Sequence, residues 1–327
     1  MHKLSVIIPT YNNYDLLKRC IKSINSQTYK KKHYEVIIVN DGSTDSRYED
    51  LPNFLKRYNS LKLSYFKLEK NRGPATARNF GVKKAKFKYV AFIDDDCIAH
   101  SNWLYEISKG FSNYKNASAI VGITRYNKRA SLETLVNAFF ITKAIESSLA
   151  VSPACNIAFK KKIFDTHAFD ERMRYAAGED VKFNCKLMER GYVFYKNEQM
   201  LVTHLKNGRV FKFLKQYFTY GVHTMPTQIK YIRFFYPYNG YKQEVPIHFN
   251  LKRDGLLNNL SWLLNKFFSN IFYLIHLIKI FMKKNKDIKK RIYGLILIPA
   301  YEYAYLIGAT LSFVYYYNYY KNKLKDW

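Results

Sequence analysis

Residues 4–8, Leu-Ser-Val-Ile-Ile, form a short apolar run closed by Pro9, the pattern of a strand buried on both faces. Residues 14–28 switch to a spacing of three and four, with Leu16, Leu17, Cys20, Ile21 and Ile24 predicting an amphipathic helix. A second apolar run, 35–39, stops at Asn40-Asp41-Gly42-Ser43-Thr44-Asp45, a cluster of turn formers. A polar helix is expected at about 46–58 and a strand near 61–67. A helix over 74–85 opens at Gly73-Pro74, and Tyr89–Ile93 reads as a further strand. Strands and helices alternating at these lengths predict an α/β domain of βαβ units, with a mostly parallel sheet flanked by helices. Ligands of such sheets sit beyond the carboxyl ends of the strands. The polar clusters of this chain follow those ends.

Beyond about residue 205 the texture changes. Residues 201–327 carry 20 basic and 5 acidic side chains and hold two long apolar stretches, 255–282 and 292–320, separated by the basic run Lys283–Arg291. A division into a catalytic domain, 1–235, and a basic, apolar helical region, 236–327, is expected. Each stretch is long enough to cross a hydrocarbon core of about 30 Å. Yet Lys266 interrupts the first and Glu302 the second, and charges inside a span are costly. Two spans would also leave the basic linker and the catalytic domain on opposite sides of the membrane. Helices lying in the interface tolerate these residues, so a peripheral association is favoured over true spans. A helical cap or dimer face stays open as an alternative.

The composition sharpens this picture in one respect. Apolar residues at 48% and charged residues at 24% exclude a disordered chain, and 13 Gly with 8 Pro exclude a collagen-like one. The balance of charge is unusual: 54 Lys and Arg against 25 Asp and Glu leave a net +29, beside 30 Tyr and 24 Phe. That balance points to a polyanionic partner, such as an anionic membrane surface or a phosphorylated substrate. The four cysteines, Cys20, Cys97, Cys155 and Cys185, lie far apart with no CxxC, and read as small buried hydrophobes in a reducing compartment. The N-terminus does not resemble a signal peptide, so the chain is expected on the cytoplasmic side.

The chemistry concentrates in Asp94-Asp95-Asp96, directly after the strand ending at Ile93. Carboxylates crowded at a sheet mouth repel one another unless a cation neutralises them, and such hard oxygen ligands suit Mg²⁺ or Mn²⁺ carrying a diphosphate. Asp41 stands at the end of the second strand, where its carboxylate can accept from a pyrimidine N–H, although a simple turn with a helix cap also explains the segment. Tyr11, in Pro9-Thr10-Tyr11-Asn12, can stack on the same base. Arg72 and Arg78 flank the glycine turn and helix start at 73–74, a natural phosphate site. Arg78 is equally readable as a structural ion-pair partner.

The segments SVIIPTYNN, EVIIVNDGSTD, NRGPATARNFG, FIDDDC, ACNIAFKKKIFDTHAFDERM, GEDVKFNCKLMERGY and VTH occur in this order over roughly residues 3–205. With these pieces the chain resembles the inverting family 2 glycosyltransferases of the GT-A fold. The resemblance implies a nucleotide-diphosphate-sugar donor, UDP- or dTDP-linked, bound by Pro9, Thr10, Tyr11, Asp41, Arg72, Arg78, Asp94 and Asp95. It implies a divalent metal, Mn²⁺ or Mg²⁺, held by Asp96 and His204. Asp180 would be the general base for the incoming hydroxyl, with Glu179 as competitor and helix capping as the structural alternative. Asn156 and Glu179 would line the donor-sugar or acceptor pocket, unless Asn156 serves a loop hydrogen bond. Phe169-Asp170-Glu171 looks structural.

One base, a metal-held leaving group and no covalent nucleophile imply a single displacement with inversion. The acceptor expected from the basic, apolar C-terminal region is a glycan, glycolipid or polyprenyl-linked glycan at the cytoplasmic membrane face, with a homodimer possible. No QxxRW-like segment suggests processive synthesis. Nucleic-acid binding would account for the charge but not for carboxylates at successive strand ends, and an NAD-type dehydrogenase lacks its GxGxxG after the first strand. The remaining rival is an inactive membrane-associated scaffold that keeps the fold.

Overall fold

The computed structural model describes residues 1–126, 149–174 and 178–205, with a few further positions between 214 and 307. The chain divides into two compact units, Met1–Arg129 with Ser148–Lys206, and Ala130–Ser147 with Asn207–Trp327. The join expected near 235 and nearly all of 255–282 and 292–320 lie outside the described residues. Among the described residues no helix is long and apolar enough to cross a membrane.

The first unit is built on one sheet. Its strands are β1 (Leu4–Thr10), β2 (Tyr34–Asn40), β3 (Lys62–Lys67), β4 (Tyr89–Phe92), β5 (Cys97–Ala99), β6 (Ala119–Tyr126), β7 (Ile157–Lys160) and β8 (Phe194–His204). Their spatial order is β3-β2-β1-β4-β7-β6-β8-β5. β3, β2, β1 and β4 run parallel, β7 lies antiparallel between β4 and β6, β8 runs parallel to β6, and β5 antiparallel to β8. The sheet is therefore mixed, with its first half parallel as the βαβ spacing predicts.

Among the described residues five helices cover it: α1 (Tyr14–Asn25), α2 (Leu51–Lys56), α3 (Pro74–Lys84), α4 (Trp103–Asn113) and α5 (Glu179–Glu189). Alternate strand residues serve opposite faces. Leu4, Val6, Ile8, Val36 and Ile38 pack with α1 and α4, through Leu17, Ile21, Trp103 and Ile107. Ile7, Ile37, Val39 and Phe92 pack with α3 and α5, through Ala75, Ala77, Phe183 and Leu187. α3 lies close against the sheet because Gly81 has no side chain: a Cβ there would meet Ile7 Cγ2 at 2.5 Å.

Two local expectations change. β1 does not stop at Pro9 but runs to Thr10, with Pro9 opposite Val39 of β2. Thr10 O accepts from Asp41 on the β2 side and Ile7 O from Ile93 on the β4 side, so Pro9 faces β4, whose pairing with β1 ends at Phe92. No ladder bond is lost, and a proline is tolerated there. The single helix expected over 46–58 is instead a 3₁₀ turn, Ser46–Glu49, followed by α2 with Pro52 in its first turn.

The segment 169–172 joins α3 to α5 and is structural, as its sequence suggests. Asn79 exchanges hydrogen bonds with both backbone groups of Phe169, at 3.0 and 2.9 Å. Asp170 accepts from Lys182 Nζ at 2.8 Å and from Arg172 at 2.9 and 2.8 Å. Burial pushes the Asp170 carboxyl up, but those cationic donors outweigh it and hold it well below the usual carboxylate range. A depressed folded value stabilises above the unfolded pKa, about 3.9, and the gain is lost as pH falls through the folded value. Asp170→Asn is therefore expected to lower stability by about 2 kcal/mol at pH 7. Urea melts should show that difference shrinking as the pH falls below about 4.

Candidate active site

The topology explains why chemistry collects at one edge. β1, β2, β3 and β4 all end there, the antiparallel β7 begins there, and β8, running in the same sense as β4, ends there with His204. Segments 9–12, 41–45, 68–73, 94–97, 154–156 and 204 thus meet although they span nearly 200 residues of sequence.

Asp41 closes the loop after β3. Its Oδ1 accepts from Arg72 N at 2.9 Å and its Oδ2 from Gly73 N at 2.8 Å. The carboxylate is buried, and burial raises its pKa against these two bonds. It is not the idle acceptor the sequence suggested; each oxygen keeps one lone pair for a ligand. Gly73 must be glycine, because its φ is 92° and the Arg174 backbone occupies the place of a Cβ. Asn12, at φ 52°, ties the neighbouring loop by accepting from Thr44 N and Asp45 N at 2.9 and 3.1 Å. Of the first cluster, Pro9 and Thr10 are buried, whereas Tyr11 is 42% exposed. Arg72 also presents its side chain to solvent.

The three aspartates after β4 part company. Asp95 turns inward, accepting from Thr10 Oγ1 at 2.6 Å and Asn13 Nδ2 at 3.1 Å. Burial and the adjacent Asp96 push it up to about 8. It braces the loop from inside rather than facing a donor. Tyr48, whose hydroxyl meets Thr10 Oγ1 at 2.5 Å, completes this support and gave no signal in the sequence. Asp94 instead reaches Arg78 Nη2 at 2.9 Å, and Arg78 Nη1 donates to Glu179 Oε1 at 2.6 Å. Arg78 and Glu179 are almost wholly buried, and Arg78 Nε has no hydrogen-bond partner among the described residues. Arg78 thus takes the ion-pair alternative that the sequence left open.

Asp180 follows Glu179 in the first turn of α5; Gly178 holds the N-cap position, and the Asp180 carboxylate meets one of the free amides of that turn. Its Oδ2 accepts from Ala154 N at 2.9 Å and its Oδ1 from Val181 N at 2.8 Å. Burial raises its proton affinity, opposed by Arg78 and these two amides. Glu179 is raised by burial and by the charge of Asp180, against the pull of Arg78. Asn156 is corrected from pocket residue to core residue. It is 1% exposed, accepts from Trp103 Nε1 at 2.8 Å and donates to Met200 O at 3.1 Å.

Asp96 and His204 meet as expected, with Nε2 3.4 Å from Oδ1. Cys97 joins them, its Sγ 3.7 Å from the same oxygen, and the three ligand atoms lie within 4.8 Å of one another. A carboxylate and an imidazole at this spacing fit a divalent cation. Cys97, read from sequence as a plain buried hydrophobe, was signalled only by its place after the aspartates. All four cysteines are free and buried.

Comparison with known proteins agrees with this architecture. Residues 5–168, half of the chain, match the Glycosyl transferase family 2, and the chain belongs to that family. It is 31% identical over 195 residues to the poly(ribitol-phosphate) beta-N-acetylglucosaminyltransferase TarP of Staphylococcus aureus, covering 58% of each chain. It is 37% identical over 101 residues to the glycosyltransferase AglE of Haloferax volcanii, covering 31% of this chain and 33% of that one. The chain thus spans about half, or less, of the length of these curated relatives. Among solved structures, the mannosyltransferase PcManGT of Pyrobaculum calidifontis, in complex with GDP-Man and Mn²⁺, superposes with a TM-score of 0.62 at 17% identity, covering 95% of this chain and 86% of that one. S. aureus TarS 1-349 with UDP gives 0.51 at 17% identity, covering 94% and 90%. The fold is that of GT-A proteins.

The burial of Arg78 sets an expected outcome. Arg78→Met leaves Glu179 and Asp94 without their cation, and should cost about 3–5 kcal/mol in denaturant melts. Adding Glu179→Gln to that variant should recover part of the loss, because one uncompensated buried charge is then removed.

Proposed function

We propose that this member of glycosyl transferase family 2 moves a sugar from a nucleoside-diphosphate donor to a hydroxyl of a glycan or lipid-linked glycan, with inversion and with Asp180 as general base. The observation that carries the reading is the carboxylate set at one sheet edge: Asp94 and Glu179 fixed by Arg78, with Asp180 beside them on two backbone amides. In a single displacement the acceptor O–H gives its proton to Asp180 as its oxygen attacks the anomeric carbon. The bond from that carbon to the diphosphate breaks, and negative charge passes to the leaving nucleotide.

Each part of this chain has work to do in that step. Each Asp180 oxygen accepts one amide, which fixes the carboxylate and leaves a lone pair on each oxygen for the incoming proton. Arg78 absorbs the charge of Asp94 and Glu179, so Asp180 is not driven neutral by its neighbours. Asp41 and the exposed Tyr11 and Arg72 frame the nucleotide, and Asp94 faces the ribose. A Mn²⁺ or Mg²⁺ ion, when bound, would be held by Asp96 and His204 and would offset charge on the diphosphate.

UDP- or dTDP-linked donors are favoured by the Asp41 acceptor; of the solved neighbours, TarS carries UDP and PcManGT carries GDP-Man. The net charge of +29 and the poly(ribitol-phosphate) named for TarP support an anionic surface glycan as acceptor, met at the cytoplasmic face of an anionic membrane.

The test is transfer or hydrolysis across a panel of nucleotide-sugars with Mn²⁺ or Mg²⁺. Asp180→Asn should bind donor normally while turnover falls about 10²–10⁴-fold; Asp96→Ala should weaken donor binding and remove its metal dependence. The base must be ionised and its pKa is raised, so kcat should fall on acidification with a midpoint above the ordinary carboxylate value of about 4. A folded, metal-supplied protein that binds no nucleotide-sugar would overturn the reading in favour of an inert scaffold.

A further inference from the structure

Cys97 has a place in the site that the transfer reaction does not require. It is fully buried, it opens β5, and in the β5–β8 pairing it stands directly opposite His204. Backbone bonds hold this corner: Cys97 N donates to Asp94 O at 3.1 Å and Leu205 N to Asp96 O at 2.8 Å. The thiol donates to Asp96 Oδ1 at 3.7 Å, the oxygen that also faces His204 Nε2 at 3.4 Å. Among the described residues, Asp96, Cys97 and His204 are the group of three whose ligand atoms converge.

The donor set discriminates between kinds of cation, because a thiolate beside an imidazole and a carboxylate favours zinc-like ions over hard ones. The three ligand atoms lie within 4.8 Å of one another, close enough to converge on a single ion. Asp96 and His204 keep 15% and 14% of their side chains exposed, so a cation can enter from their solvent side while the buried Cys97 closes the back.

We propose that Asp96, Cys97 and His204 form an oxygen–sulfur–nitrogen site that holds Zn²⁺-like divalent cations more tightly than Mg²⁺ or Mn²⁺, with Cys97 as its third protein ligand. This rests on the placing of a cation at Asp96 and His204 in the transferase reading, and it adds the residue that sets which cation is held. On binding, the Cys97 S–H bond breaks, a sulfur–metal bond forms and the proton passes to water. Three protein ligands would leave a fourth position for water or a further ligand.

Cobalt(II) titration of the whole chain under reducing, anaerobic conditions tests the proposal without reference to turnover. A thiolate-to-cobalt absorption band in the near ultraviolet is expected, saturating at about one ion per chain and displaced by Zn²⁺. Cys97→Ser should abolish the band and keep the weaker visible bands of bound cobalt, whereas Cys155→Ser, which removes the thiol hydrogen-bonded to Cys97, should retain it. Zn²⁺ affinity in Cys97→Ser should fall at least about 10–100-fold, with Mn²⁺ affinity nearly unchanged. Cobalt bound with no thiolate band, or a band that survives Cys97→Ser, overturns the proposal and leaves the transferase reading standing. No cobalt uptake by the folded chain overturns both this and the cation of that reading. X-ray absorption of the cobalt-loaded wild type reads the sulfur ligand directly, whether or not the variants fold.

Discussion

One buried guanidinium holds the candidate site together. Arg78 projects from α3 and meets Asp94 after β4 and Glu179 at the start of α5, so a single side chain joins three separately encoded segments. Carboxylates brought this close in a largely desolvated corner cannot all ionise unaided. Arg78 supplies the opposing charge in a planar fork that a lysine ammonium cannot reproduce. Asp180, held by backbone amides instead, is left as the carboxylate with lone pairs to spare.

That arrangement depends on the sheet. Four adjacent parallel strands deliver the ends of β1, β2, β3 and β4 to one edge, and the antiparallel insertion of β7 brings Ala154 to the same edge, where its amide meets Asp180. The clamp of residues 169–172 between α3 and α5 fixes the separation of Arg78 and Glu179 from behind. Packing thus positions the acid–base chemistry, and the site is as rigid as the two cores on either face of the sheet.

A second, smaller constraint operates at the far side of the sheet. β5 is only three residues long, yet its antiparallel pairing with β8 sets Cys97 against His204 and closes the corner in which Asp96 stands. Neighbouring carboxylates of one triplet therefore serve different ends: Asp94 an ion pair, Asp95 an internal brace, Asp96 the convergent donor group.

Much of this was legible in the residues. Periodicity located the first four strands and three of the helices near them, because buried strands and amphipathic helices carry patterns that the core enforces locally. Asp41, Asp94, Asp96 and Asp180 were visible as polar groups at element ends, Arg78 as a basic residue inside the expected helix over 74–85, and His204 through the family resemblance. The sequence could not tell which way each would turn. Asp95 and Asn156 look as available as their neighbours, and only the fold shows one bonded to Thr10 and the other to Trp103. Pro9 reads as a strand stop, and only the early end of β4 beside it lets β1 continue. Cys97 closes the FIDDDC segment without a role of its own there and Tyr48 carries no motif, since their places come from strand register and a long-range hydroxyl contact. Sequence alone determined which chemical groups stand at the mouth of the sheet, because that follows from local pattern. Tertiary structure decided which of them pair with one another and which remain open to a ligand, because that depends on contacts between segments far apart in the chain.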